Sequence, residues 1–408
     1  MHARNMFATL KKYFSPVVNQ NEELSFLQIF KPIYVLLSTL GLFPQTILFP
    51  NDGQNAIFTL KNSVYNWCHT LLMIIFIHSF YIFHLQELHI SSQDNSITQG
   101  SMTLTNYIID LSLQVLFCTV SYFHVIRDRN LYIRMLNDMA GCWDRLAMGG
   151  RKQILGQLRV QMCAVLSPVI VIIPLLSAIT YRGHLGIWKK ILFTVTFILP
   201  ELIQFIMISF YLVMILMIVA LLKNIEEEIK ILDLRNNICY NSLGAKSELG
   251  IFKIKNVYVK TLKIKRQVNA AFLAPILVAL TVCFHELIGL PHMIYHGTVY
   301  VPNFSVNSTI GLSLWVFTQL LKLSAFACSG ALLKSQVNKI GRTIYNFPIR
   351  RDQDLKAYLL VQHFSSLMSY QKAEITIYGY FTLDGTLIFN MVASAFMYLT
   401  ILVQFDQI

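Results

Sequence analysis

Three observations predict an all-α polytopic membrane protein with seven transmembrane helices. Of the 408 residues, 55% are hydrophobic and only 13% charged, where a soluble domain carries about 25% charged residues. Seven apolar stretches reach the ~20 residues that a helix needs to cross a bilayer core. The lysines and arginines fall in alternate connections between those stretches, the pattern that orients membrane helices. The net charge of +12 therefore reads as topology, and no nucleic-acid partner is implied.

The elements follow in order. The N-terminus, MHARNMFATLKKYF, has no apolar core followed by a small-residue cleavage site, so no secretory signal is expected. Residues 1–63 are assigned to a cytoplasmic N-terminal region. Within it, residues 32–50 are apolar but broken by Gly41 and Pro44 and are expected to form a re-entrant or interfacial piece, because proline removes a backbone donor and stops a helix. The first span is placed near residues 64–85, the second at 106–126 and the third between Arg159 and Arg182. The fourth covers 191–222, interrupted by Glu201; the fifth is near 269–294; the sixth, near 309–333, contains Lys322; the seventh lies between Asp384 and Asp406. Residues 64–333 thus make a bundle of six spans with cytoplasmic helical extensions, 334–383 a cytoplasmic region, and 384–408 the seventh span.

Orientation follows from charge. Seven Lys and Arg lie between spans two and three, ten between four and five, and seven between six and seven. The connections between spans one and two and between five and six hold none. Positive residues stay inside, so the N-terminus is expected in the cytoplasm and the C-terminus outside. The two glycosylation sequons, at Asn303 and Asn307, both fall in a connection that this rule places outside. The topology is inverted relative to G-protein-coupled receptors, and the last span has no NPxxY.

The seventh span ends MYLTILVQFDQI. Tyr398, five apolar residues, then Gln404 and Phe405 resemble the C-terminal signature of the insect gustatory receptor family. The GYFTLD at 379–384 and the GLFP at 41–44 resemble that family's segments before the seventh and first helices, and the likeness in length and topology runs along the whole chain. Met397 stands where the family has threonine. The resemblance implies a tetramer whose last helices surround a cation pathway for sodium, potassium and calcium, opened by a tastant, in the plasma membrane of sensory neurons. Subunits would be identical or mixed with other gustatory receptors. An odorant-receptor-like channel subunit and a metabotropic seven-helix chemoreceptor are the alternatives.

Helical periodicity puts Thr386, Asn390, Ser394, Met397, Ile401 and Gln404 on one stripe. A polar stripe in a membrane helix must face protein or water, so it either packs on other helices or lines a pore. The pore and gate candidates are Ser394, Met397, Tyr398, Ile401, Gln404 and Phe405, with Asp406 at the outer mouth. Adjacent helical residues point about 100° apart, so a modest rotation would exchange a ring of phenyl groups for a ring of amides at the constriction.

Ionisable residues inside spans are functional candidates. Glu201, Glu286 and Lys322, with the aromatic residues Tyr181, Trp188, Tyr295 and Trp315, are the candidates for a ligand pocket in the outer half. Glu201 or Glu286 can also simply pair with Lys322. A sugar or a bitter plant compound fits this mixed set. His292 and His296 sit one turn apart without a third ligand nearby, and the seven cysteines have no CxxC pairing, so neither metal, cofactor nor disulfide is expected. The absence of HExxH, GxSxG and Walker patterns argues against an enzyme, and no internal repeat supports a transporter.

Overall fold

The computed structural model describes residues 26–48, 59–62, 64–90, 101–146, 151–181, 186–238, 244–300, 304–347, 355–371 and 373–406. A short helix α1 (Lys31–Thr39) leads into strand β1 (Gln45–Leu48), which pairs antiparallel with β2 (Thr59–Asn62). Nine residues of helix reach about 13 Å, so α1 does not cross a membrane; it docks against the bundle instead. Its turn is shaped by the GLFP segment. Gly41 has φ +69, the left-handed region open to glycine, and its carbonyl accepts from the Thr70 hydroxyl at 2.7 Å. The Leu40 carbonyl accepts from Tyr122 at 2.7 Å. The turn is thereby tied to two of the long helices.

Those long helices are α2 (Val64–Ile90), α3 (Ser101–Arg145), α4 (Arg151–Tyr181), α5 (Ile187–Phe193), α6 (Leu199–Ile238), α7 (Gly244–Tyr300) and α8 (Val306–Tyr345), followed by α9 (Leu355–Tyr370), a hairpin β3 (Thr376–Ile377) and β4 (Phe381–Thr382), and α10 (Gly385–Asp406). A π-helical turn, Thr194–Ile198, fuses α5 to α6, so the fourth span is one continuous rod. Seven helices are long and apolar enough to cross a membrane, and they coincide with the seven predicted spans. The 57-residue α7 is about 85 Å long, nearly three times a bilayer core, so its N-terminal half must project beyond the membrane.

The apolar pattern explains the packing. The fourth span is hydrophobic all round and is buried over almost its whole apolar length, the signature of a central helix. It touches α1, α3, α4, α7 and α8. An aromatic knot of Tyr132, Phe210, Tyr211, Phe272 and Phe326, with ring centroids 5.0–6.1 Å apart, closes the core there. By contrast α10 is covered on one side only, against α7 and α8.

Candidate functional site

Two features stand out: a polar layer buried within the bundle, and the free face of α10.

The polar layer joins four spans. Lys322 of α8 reaches Glu201, in the first turn of α6, at 2.8 Å, and both side chains are fully buried. The Lys322 ammonium also donates to Gln204 Oε1, one turn along α6. The Thr318 hydroxyl donates to Glu201 Oε1 at 3.4 Å. Glu286 of α7 accepts from Gln114 Nε2 of α3 at 2.6 Å and from Gln319 Nε2 of α8. The Cys283 thiol donates to Gln319 Oε1 at 3.4 Å. Asp110, one turn before Gln114 on α3, completes the group beside Glu286. Two charges this deep are tolerable only when paired and hydrogen-bonded. The layer holds three carboxyl side chains but a single cation, and Gln114 Oε1, Gln204 Nε2 and Asp110 Oδ1 have no hydrogen-bond partner among the described residues.

The layer continues toward α2. His84 Nδ1 lies 2.7 Å from the Thr196 hydroxyl, and Tyr107 OH lies 3.0 Å from His84 Nε2. Thr196 already donates to the Leu192 carbonyl at 2.8 Å. Its oxygen must therefore accept from Nδ1–H, which leaves Nε2 to accept from Tyr107. Thr196 sits in the π-helical turn, a distortion often found at functional positions.

Of the predicted pocket residues, Glu201, Glu286 and Lys322 come together. Trp315 is 9% exposed and lies one turn before Thr318, which donates to its carbonyl at 2.7 Å. Trp188 stands apart, half exposed on α5 with its ring 6.2 Å from Phe80. Tyr295 packs edge-on against Tyr300, centroids 6.2 Å apart, more than two turns along α7 from Glu286. The side chain of Tyr181 lies outside the described residues. Gln114, Gln204 and Gln319 were not among the sequence candidates, because a lone amide in an apolar span carries little signal. Asp110 had the signal, an ionisable residue inside a span, and His84 and Tyr107 were legible only as neighbours of it.

Residues of α10 divide between two faces. Leu387 and Ala395 are buried, and Tyr398 turns toward α7, its ring edge-on to Phe284 at 6.0 Å. Tyr398 stays about half exposed at this contact and lies beside the stripe of Met397, Ile401 and Gln404. On the other side Thr386, Asn390, Met397, Ile401, Gln404 and Phe405 are exposed, and Ser394 is half-buried between the faces. The side chain of Asp406 lies outside the described residues. Asp384 caps the helix by accepting from the Thr386 amide at 3.0 Å. The Thr386 and Thr382 hydroxyls also donate to it, and this hydrogen bonding, Thr386 first, holds its carboxyl below the usual carboxylate range. The hairpin before it turns through Tyr378 and Gly379, both at positive φ (48 and 77), and hangs from α7 by Lys265 on the Glu374 carbonyl and Asn269 on the Thr376 carbonyl. A Cβ on Gly330 of α8 would collide with the Leu383 carbonyl, so glycine is what lets this lead-in seat.

Of the two sequons, Asn303 lies outside the described residues, while Asn307 is exposed beside the N-terminus of α8. The Ser305 hydroxyl accepts from the Asn307 amide at 3.1 Å and caps that helix.

No sequence among the curated proteins matches the chain. In solved structures, the fold is similar to the insect olfactory receptor OR5 from Machilis hrabei, with TM-score 0.69 and 12% identity over 92% of this chain and 98% of that one. It is also similar to the same receptor in complex with eugenol, with TM-score 0.64 and 12% identity over 93% and 99% of the two chains. The 7tm chemosensory receptor profile matches residues 30–408. With seven membrane-spanning helices in that arrangement, the chain is a multi-pass membrane protein belonging to the 7tm chemosensory receptor family.

Proposed function

We infer that the chain is a gustatory receptor acting as a tastant-gated, non-selective cation channel. It works as a homotetramer or in a heteromer with other gustatory receptors, in the plasma membrane of sensory neurons. The observation that carries this reading is the free face of α10. Among the described residues, Thr386, Asn390 and Gln404 are exposed on it, while the Tyr398 ring meets Phe284 of α7. Asn390 and Gln404 on a lipid-facing stripe are costly; around a four-fold axis they line water. The Tyr398-x5-Gln404-Phe405 ending favours the gustatory branch over an odorant-receptor-like subunit.

The N-terminus is assigned to the cytoplasm by the positive-inside rule, which puts the polar layer in the outer half of the bundle. We assign the ligand to this layer. Glu201, Glu286, Lys322 and Trp315, with Gln114 and Gln204, offer charge, amides and an aromatic wall, which suits a small hydrogen-bonding tastant such as a sugar or a plant amine. That a similar fold holds eugenol in OR5 is consistent with a small organic ligand within such a bundle. Coupling runs along α7: Glu286 touches the layer, and Phe284, two residues away, touches Tyr398 of the pore helix. The kinks expected at Pro275 and Pro291 make α7 a lever.

The test is whole-cell current during a screen of sugars and plant alkaloids, with Gln404→Ala and Phe405→Ala in parallel. A ligand-evoked cation current altered by either substitution, at matched surface expression, supports the reading. A response abolished by G-protein blockade would transfer it to a metabotropic receptor.

A further inference from the structure

A second site lies at the other end of α8, away from the polar layer and from the gate. The helix continues from Lys334 to Tyr345 past its apolar stretch, and there Lys334, Ser335, Asn338, Lys339 and Arg342 share one face. Together with Asp384 they line an open surface cleft of about 360 Å³, and all five of these α8 side chains are exposed. Lys334 is partly engaged by Glu374 at 3.0 Å. Lys339 and Arg342 are exposed and make no direct salt bridge among the described residues, though the Lys339 ammonium is near enough to the Glu226 carboxyl to help stabilise its charge. Asp384 accepts from the Thr386 amide and hydroxyl at Oδ1 and from the Thr382 hydroxyl at Oδ2, which leaves room at Oδ2 for one further donor at most.

The composition selects a ligand class. Several cations converging on one cleft call for phosphate, which guanidinium and ammonium groups bind best. A carboxylate in the same wall repels a bare phosphate, but accepts hydrogen bonds from hydroxyls. A molecule carrying both phosphates and hydroxyls satisfies every group. With α8 oriented as in the proposed function, on which this step rests, the cleft sits at the level of the cytoplasmic headgroups, since the headgroup zone adds several ångströms beyond the ~30 Å core. Basic clusters at that depth attract anionic lipid.

We propose that this cleft binds a polyphosphorylated inositol headgroup, with Lys339 and Arg342 taking phosphates and Asn338 and Asp384 taking ring hydroxyls. The ligand bridges α8 to the first residue before the pore helix. It therefore favours whichever position of α10 keeps Asp384 against α8. The same headgroup chemistry exists on a membrane lipid and as a free inositol phosphate, and the experiment separates them.

The purified full-length receptor is presented with inositol 1,4,5-trisphosphate. In parallel it is placed in nanodiscs of phosphatidylcholine alone, with phosphatidylserine, or with phosphatidylinositol 4,5-bisphosphate. Wild type, K339Q/R342Q, the charge-retaining K339R/R342K and the remote control K356Q are compared. The neutral double variant is expected to bind about 100-fold more weakly, roughly tenfold for each lost charge-assisted contact. The other two should bind like wild type. Binding only of the lipid form assigns the ligand to the membrane, and equal binding of the soluble headgroup assigns it to the cytosol; both support the site. Unchanged binding by K339Q/R342Q, or phosphatidylserine binding as well at equal charge, overturns it. If the double variant fails to fold, as read by gel filtration, R342Q alone is held to the same criterion with a tenfold loss. None of these readouts needs a current, so the site and the channel reading stand or fall separately.

Discussion

At the scale of single residues, the Glu201–Lys322 pair decides the most. Removing one partner of a buried ion pair leaves an uncompensated charge, which costs about 3–5 kcal/mol. Lys322→Ala is therefore expected to lower the melting temperature of the purified receptor sharply, while the double variant Glu201→Gln/Lys322→Met recovers most of the loss. Equal melting of wild type and Lys322→Ala would show that water reaches the pair. Gly41 is the other sensitive residue. Its φ of +69 and the closeness of Thr70, whose backbone a Cβ would meet at 3.2 Å, mean that Gly41→Ala adds left-handed strain of about 1–2 kcal/mol to steric pressure on α2. Both changes were only half legible from the chain. Glu201 and Lys322 were visible as ionisable groups in spans, but their pairing crosses 121 positions, and no local pattern reports that.

At the scale of elements, α10 and its lead-in carry the argument. Asp384 is the N-cap, and a capping carboxylate replaced by alanine costs about 1 kcal/mol. Asp384→Ala should shift the voltage- or ligand-independent open fraction, and Asp384→Asn should keep most of the cap; identical single-channel behaviour of all three would remove the cap from gating. The sign of the pH effect is fixed by the depressed folded value: the contribution is present above the ordinary carboxylate range and is lost only as pH falls through that lower value. Gly330→Val should unseat the hairpin, since even its Cβ meets the Leu383 carbonyl, and the readout is loss of a folded peak in gel filtration at otherwise normal expression. The stripe on α10 was readable from the 3.6-residue period. That Tyr398 meets Phe284 was not, because periodicity gives the angle between residues and not which angle meets a neighbour.

At the scale of the whole molecule, the proposed assembly is tested at the exposed face of α10. Substituting Gln404 by cysteine, in a background with exposed Cys68 and Cys328 replaced by serine, should make ligand-evoked current sensitive to a charged thiol reagent applied from outside. Insensitivity at matched surface expression would place this face against lipid. Phe284→Ala should leave ligand binding in place while reducing evoked current, since it cuts the contact between α7 and α10 without touching the polar layer.

The sequence by itself determined the class, the number of spans and the stripe on the last helix, because hydrophobic length and helical period are local properties of a chain. Charge placement added an expected orientation for the same reason. Only the tertiary structure decided which polar groups share a layer, that the fourth span sits at the centre, and that α10 keeps one face open. Those are long-range outcomes, set when helices distant in sequence compete to bury their groups, and Gln114, Gln204 and Gln319 acquire meaning only once Glu286 and Lys322 are beside them.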